Sequence, residues 1–440
     1  MRNDILHIGA GELTYEIRGI VSVAKKLEAL GVKIRWENIG DPVAKGETIP
    51  DWIKSIIQGL VYQNSSYGYC PTKGVKETRE YIAELNNKQG GTQISPEDII
   101  FFNGLGDAIN KVYGLLRRET RVIGPSPAYS THSSAEASHA GLSPITYNLK
   151  PENNWYPDID DLRNKIKYNS TISGILIINP DNPTGAVYPR EILEEIVYLA
   201  KKYDLFIICD EIYQNIVYNN KEMVPLATVI DNVCALSLKG ISKEIPWPGS
   251  RCGWIEIYNA CKDKNFDQYI ESILNTKMVE VCSTTLPQKA IPKMMQHPNY
   301  REYIQKKNSF YEQASNLAFK ILSPLKHLIL INKSNGAFYM SVVFRKNILR
   351  DDQSLPIENK SIKGYVAELV RNVPLDKRFV YYLLASTGIC VVPLSSFCSN
   401  LPGFRITLLE KDLDTFQTTF KTIKRSIELY TSSSNGQMKP

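Results

Sequence analysis

Gly174-Ile175-Leu176-Ile177-Ile178-Asn179-Pro180-Asp181-Asn182-Pro183-Thr184-Gly185 changes character at its middle. The first half is apolar without alternation, as a strand buried on both faces of a parallel sheet must be. The second half is turn chemistry. The same passage recurs on either side. Asp98–Asn103, Arg121–Gly124, Leu205–Asp210, Cys234–Leu238 and Gly253–Tyr258 read as further strands, and amphipathic segments such as Arg190–Tyr203 read as the helices between them. This order predicts an α/β fold, a doubly wound and mostly parallel sheet over residues 55–290. Beyond it, helical patterns at Tyr300–Leu322 and Lys411–Tyr430 mix with short strands at Gly336–Phe344 and Ile389–Pro393, which predicts a smaller α+β domain over 291–440. Residues 1–54, with a helix at Arg18–Leu30, are expected to pack back onto that domain. Lys346–Lys363 is polar and unpatterned and reads as a surface insertion; the tail Thr431–Pro440 reads as frayed.

Composition narrows the function classes. With 440 residues, 43% hydrophobic and 22% charged, the chain has ample core for two domains. The net charge is +6, and the Lys and Arg are scattered among the Asp and Glu, so no nucleic-acid footprint is expected. No run reaches the roughly 18 apolar residues of a membrane span, and Met1–Ala10 has no apolar core of a secretion signal. The eight cysteines show no C-x-x-C pair and read as reduced core thiols, which with the rest predicts a cytoplasmic protein; no metal centre is expected.

In an open α/β sheet, reactive groups belong at the carboxyl ends of strands. Three polar clusters fall there: Asn179 to Gly185, then Asp210-Glu211-Ile212-Tyr213, then Ser242-Lys243 with Gly249 and Arg251 beyond. Singly, each has a plainer reading as a turn, a helix cap or a surface pair. In this order and spacing they resemble the class I/II aminotransferases of the aspartate-aminotransferase fold. The resemblance runs from Asn38-Ile39-Gly40-Asp41-Pro42 through Tyr69-Cys70-Pro71-Thr72-Lys73-Gly74 to Gly403-Phe404-Arg405-Ile406-Thr407, and is most specific over Ser242–Trp254. Tyr15-Glu16-Ile17-Arg18-Gly19 and Gly240-Ile241-Ser242-Lys243 place it nearest the bacterial alanine-aminotransferase branch.

The resemblance implies pyridoxal 5'-phosphate as cofactor, carried by Lys243 as an imine, with the same amine moving the substrate Cα proton. Asp210 would keep the cofactor's ring nitrogen protonated. His132 either backs Asp210 or is a surface histidine. Asn182 and Tyr213 would hold the phenolate oxygen, and Tyr129 would stack on the ring unless it merely covers core. Gly104, Leu105 and Gly106 open a helix whose N-terminus suits a phosphate, joined by Ser242 and Arg251. Tyr69 would reach the phosphate of a neighbouring subunit, which implies a homodimer with shared active sites. Arg405 and Gly40, with Asn182, would take the substrate α-carboxylate, the alternative for Arg405 being an ordinary salt bridge. Tyr15 and Arg18 would either close over the substrate or simply pack their helix.

The implied reaction is transamination between an L-α-amino acid, alanine favoured, and a 2-oxo acid such as 2-oxoglutarate. Aspartate or aromatic donors, or a lyase, decarboxylase or synthase reaction on the same cofactor, remain alternatives. Two departures bear on this. Gly240 replaces a family serine, removing one phosphate hydroxyl, and Met278–Thr285 lacks the arginine that reads a distal carboxylate in aspartate-specific members. Pro246-Trp247-Pro248 stiffens the loop beside the phosphate. A nicotinamide enzyme would need G-x-G-x-x-G in the first βα unit, which is absent. The stretch before Tyr15 leaves no room for the helix-turn-helix of a regulator built on this fold.

Overall fold

The computed structural model describes residues 5–13 and 16–433, without the side chains of 16–18. The chain enters through helix α1 (Glu16–Ala29), whose Ile20, Val23, Ala24 and Leu27 recur at helical spacing and are buried. Strand β1 (Arg35–Trp36) follows, then α2 (Asp51–Val61) and α3 (Lys76–Lys88). The large unit continues with β2 (Ile99–Phe102), α4 (Leu105–Gly114), β3 (Arg121–Ser126), α5 (Ser130–Ala140), β4 (Thr146–Lys150), β5 (Tyr156–Pro157) and α6 (Ile159–Tyr168). After these come β6 (Ile172–Ile178), α7 (Arg190–Tyr203), β7 (Phe206–Asp210), β8 (Ala235–Gly240), β9 (Gly253–Tyr258), α8 (Lys264–Glu280) and α9 (Thr285–Met295).

Eight strands form one sheet in the order β2-β9-β8-β7-β6-β3-β4-β5. The central run β8-β7-β6-β3-β4 is parallel, while β2, β9 and β5 join antiparallel. Two apolar clusters explain the lack of alternation in the strands. Ile175, Ile177 and Ile207 belong to one, and Leu176, Ile178 and Ile208 to the other, so successive side chains enter different cores on the two faces. Truncating any of these to Ala costs about 2–5 kcal/mol.

The smaller unit contains α10 (Tyr300–Leu322), β10 (Ile329–Ile331), β11 (Tyr339–Phe344), α11 (Lys360–Leu369), α12 (Leu375–Thr387), β12 (Ile389–Cys390), β13 (Val392–Pro393), β14 (Gly403–Thr407) and α13 (Leu413–Ser432). Four of its strands make an antiparallel sheet ordered β10-β11-β14-β13. β1 pairs in parallel with β12, Arg35 against Ile389, which ties the N-terminal segment to this unit. The expected divisions at 54/55 and 290/291 fall inside α2 and α9.

Several sequence expectations need correction. The supposed surface insertion Lys346–Lys363 is anchored: Gln353 is fully buried, donates to the carbonyls of Ile348 and Thr431 at 3.0 and 3.3 Å, and accepts from the Arg350 N–H. Leu349 and Leu355 are buried too, and α11 begins at Lys360. Such a segment lacks periodicity because side chain to backbone bonds, not a regular ladder, hold it. At the tail, Thr431 and Ser432 finish α13 and Ser433 is tied to Arg350 and Ser354; residues 434–440 lie outside the described residues. All eight cysteines are free, yet only Cys209, Cys252 and Cys390 are buried, and Cys261 and Cys398 are exposed. Among the described residues, no helix is long and apolar enough to cross a membrane.

Candidate active site

The parallel strands end side by side. The Asn179 N–H donates to the Asp210 carbonyl at 3.0 Å, and the Glu211 N–H to the Leu238 carbonyl at 2.9 Å, so the three polar clusters after β6, β7 and β8 share one rim. Above it lies a cavity of about 420 Å³, bounded on the far side by Arg405 of β14 and Tyr339 of β11.

Lys243, three residues past β8, lines this cavity and donates from Nζ to the Gly40 carbonyl at 2.9 Å. Burial pushes its ammonium down to about 8; the charge of Asp41 opposes the shift and that of Arg405 adds to it. The amine therefore sheds its proton far more readily than an ordinary lysine and reaches half deprotonation near pH 8, which suits a nucleophile or base. Asp210, the last residue of β7, is buried with its carboxylate on the cavity. Its Oδ2 lies 3.0 Å from His132 Nε2, and its Oδ1 accepts from the Ile212 N–H at 3.1 Å. His132 is fully buried with its other ring nitrogen 3.4 Å from the Tyr113 hydroxyl, so of its two readings the structure selects the partner of Asp210.

Tyr129 lines the cavity at the N-terminus of α5, its ring edge-on to His132 at 6.4 Å. Tyr213, buried and with its hydroxyl pushed well up by burial, lies 3.1 Å hydroxyl to hydroxyl from Tyr339. Asn182 accepts from Arg405 Nη1 at 3.1 Å, and Arg405 Nη2 donates to the Asn38 carbonyl at 2.6 Å. The guanidinium is buried, 4.4 Å from the Tyr339 ring and 5.0 Å from that of Phe397. Among the described residues no carboxylate pairs with it, and its Nε has no partner, so the ordinary salt bridge is not what this arginine makes. A planar cation facing a cavity without its own anion has the donor geometry to receive a carboxylate.

At the opposite pole, Gly104 caps α4 with φ +84°, and a Cβ there would lie 2.3 Å from Arg251 Nη2. Glycine is needed both for that backbone and for the arginine's approach. Leu105 and Gly106 present the first turn of α4 to the cavity, with Ser242 and Arg251 alongside. These N–H groups, a hydroxyl and a guanidinium make an anion cradle. The Pro246-Trp247-Pro248 run gains a role here. It leads into a short turn, Pro248–Ser250, that leaves Arg251 in the left-handed region at φ +47°, and the Pro248 carbonyl accepts from Arg251 Nη1 at 3.1 Å.

Other expected residues lie elsewhere. Tyr69 is 86% exposed and does not line this cavity. Tyr15 and the side chain of Arg18 lie outside the described residues, although Val21 of α1 lines the cavity. Gly40 is packed so closely that a Cβ would meet the Tyr339 hydroxyl at 2.0 Å. Sequence reading missed Tyr339 itself. It opens a strand read only as core, in a chain with 25 tyrosines, and carried no local signal.

Three kinds of likeness agree with this geometry. The family model for aminotransferase class I and II matches residues 38–416. An uncharacterised aminotransferase of Methanocaldococcus jannaschii is 64% identical over 428 residues, covering 97% of this chain and 99% of that one. The glutamate-pyruvate aminotransferase of Escherichia coli is 32% identical over 350 residues, covering 78% and 84%. Among solved structures, the alanine aminotransferase from Pyrococcus furiosus superimposes with a TM-score of 0.82 at 25% identity, covering 97% of this chain and all of that one. The chain belongs to the class I and II aminotransferases and is a transaminase.

Proposed function

We propose that this transaminase binds pyridoxal 5'-phosphate at Lys243 and exchanges the amino group of alanine with 2-oxoglutarate, working as a homodimer. The observation that carries the reading is the pairing across one cavity of a lysine with its ammonium pushed down to about 8 and an arginine with no carboxylate partner among the described residues. The residues fit the cofactor by their donor chemistry: an amine for the aldehyde, a buried carboxylate for the ring nitrogen, a tyrosine face, and an anion cradle that a Cβ at Gly104 would fill.

When bound, the cofactor supplies an electron sink that acidifies the substrate Cα–H. Lys243 Nζ, once the substrate's amine had displaced it from the cofactor, would be the free base that takes that proton and returns it at C4′. Asp210, held by His132, keeps a proton on the ring nitrogen, and Asn182 and Tyr213 donate to the phenolate oxygen. Tyr129 would offer its face to the ring, and Gly104, Leu105, Gly106, Ser242 and Arg251 would hold the phosphate. Arg405, with Asn182 and Gly40, fixes the substrate carboxylate so that the Cα–H faces Lys243.

The small donor is favoured because the cavity lining includes the apolar Val21 and Ile39. Similar proteins bear the names glutamate-pyruvate aminotransferase and alanine aminotransferase. Homodimerisation is supported by Tyr67 and Tyr69, 70% and 86% exposed, beside the turn that exposes Val279 and Val281. In it, Tyr69 would serve the partner's phosphate. The test is a panel of amino donors against 2-oxoglutarate and pyruvate. Alanine with 2-oxoglutarate is expected to lead; aspartate or an aromatic donor better by about tenfold in kcat/KM, roughly 1.4 kcal/mol, would overturn the substrate assignment.

A further inference from the structure

Lys277, in the last turn of α8, is fully buried, and none of the steps above uses it. A lysine so deep needs partners. Its Nζ lies 2.8 Å from Glu280 Oε1 and 3.9 Å from Asp107 Oδ2, donates to Ser283 Oγ at 2.8 Å, and sits 5.2 Å from the centre of the Phe102 ring. Lys111 completes the cluster from α4, pairing with Asp107 and reaching Glu280 Oε2 at 2.8 Å. Two cations thus face two carboxylates and cancel.

What the cluster grips is Asn103, the residue before Gly104. The Asn103 N–H donates to Asp107 Oδ2 at 3.0 Å and its side-chain amide donates to Glu280. Its side-chain oxygen accepts from the Thr284 N–H at 3.1 Å, and its carbonyl accepts from Arg251 Nη2 at 3.4 Å. All four polar atoms of Asn103 are held, by α4, by the junction of α8 and α9, or by Arg251 itself.

We propose that Lys277 and Glu280 are positioning residues for the cofactor phosphate. They fix Asn103 and through it the first turn of α4 and the Arg251 fork, and the Lys277 charge keeps the cluster from repelling the anion it supports. This rests on the phosphate reading given under Proposed function. The two residues should act with opposite sign. Losing the Lys277 charge leaves a net negative cluster behind the phosphate, whereas Glu280→Gln leaves a net positive one whose amide oxygen still accepts from Asn103.

The test titrates the cofactor-free full-length protein with pyridoxal 5'-phosphate and, separately, with pyridoxal, which lacks the phosphate, following absorbance. Lys277→Met is expected to lose about tenfold or more in affinity for the phosphorylated form. Pyridoxal affinity should stay within about twofold, because the charge acts on the missing group. Glu280→Gln should bind the phosphorylated form at least as tightly as the unaltered protein. Equal losses for both ligands in Lys277→Met, unchanged affinity there, or a parallel loss in Glu280→Gln would each overturn the proposal. Should Lys277→Met fail to fold, Lys111→Met at the more open edge of the cluster takes its place: a phosphate-selective loss supports the proposal and its absence refutes it. An unaltered protein that binds both ligands alike would bring down the phosphate assignment itself.

Discussion

Lys239 and Lys243 lie four residues apart at the end of one strand, and the protein puts them to opposite uses. Lys239 is buried inside the sheet between two carboxylates, 2.8 Å from Glu256 Oε2 and 3.4 Å from Glu211 Oε2. Burial works to lower its ammonium, but Glu256 and Glu211 outweigh burial and hold it above the ordinary lysine range. Lys243, also desolvated though less enclosed, has a neutral carbonyl as its bonded partner and Arg405 and Arg251 nearby, and falls to about 8. Desolvation is common to both. What makes one a staple and the other a reactive amine is whether carboxylates were placed in contact.

The largest expected effect separates them by activity. Lys243→Ala should abolish transamination by several orders of magnitude while the fold persists, because it removes both the covalent anchor and the base. Borohydride reduction of the cofactor-loaded protein followed by peptide mass analysis should label Lys243; a label on Lys239 would invert the assignment. Lys239→Met should do the reverse, leaving Lys243 able to react but destabilising the protein by about 3–5 kcal/mol, since Glu211 and Glu256 would stay buried without their cation. Chemical denaturation checks this, and an unchanged midpoint would show that the pair is not what staples β7, β8 and β9.

A smaller effect follows from pH. The folded Lys243 ammonium titrates near 8, below its unfolded value of about 10.4. Between those values the unfolded chain binds more protons, so this group's contribution to stability rises with pH across that window and is least below 8. Many other groups also titrate there. The measurable quantity is therefore the difference between cofactor-free unaltered protein and Lys243→Met, which should shrink as pH rises from 8 towards 10. A constant difference would mean that Lys243 is no harder to protonate than a surface lysine.

The contrast between the two lysines also shows what the sequence could reveal. Strands β6, β7 and β9 were legible because burial on both faces forces apolar runs, and Lys243 because its neighbours Gly249 and Arg251 sit at fixed chain distance. Lys239 was not, since its partners Glu211 and Glu256 come from other strands and meet only through register. His132 was half legible. Its place three residues after Tyr129 suggested a role, but only the fold, with α5 packed on β3, puts it against Asp210 at the end of β7. Gln353 shows the opposite failure: a polar, unpatterned run looked like solvent-facing loop because polar anchors bonded to backbone carry no periodic signature. Tyr339 sits where the two units meet and takes its meaning from Gly40, Tyr213 and Arg405, none near it in sequence.

Tyr339 also offers the finest test of how a cation without a carboxylate is held. Arg405, like Lys243, has only neutral oxygen partners among the described residues, but it lies on an aromatic face that Lys239 and Lys243 lack at that distance. Ring and hydroxyl of Tyr339 serve different neighbours, so they can be removed separately. Tyr339→Phe keeps the face under Arg405 and loses the 3.1 Å contact with the Tyr213 hydroxyl. It should lower kcat by roughly 1 kcal/mol, several-fold, and leave KM for the amino acid nearly unchanged. Tyr339→Leu loses the face as well, and should raise KM by a further 0.5–2 kcal/mol or so, because the guanidinium then loses its cation–π support and drifts from the carboxylate position. Steady-state kinetics on the two variants decides the matter. If Tyr339→Phe raises KM as much as Tyr339→Leu does, the hydroxyl rather than the ring orients Arg405, and the face beneath the cation is packing alone.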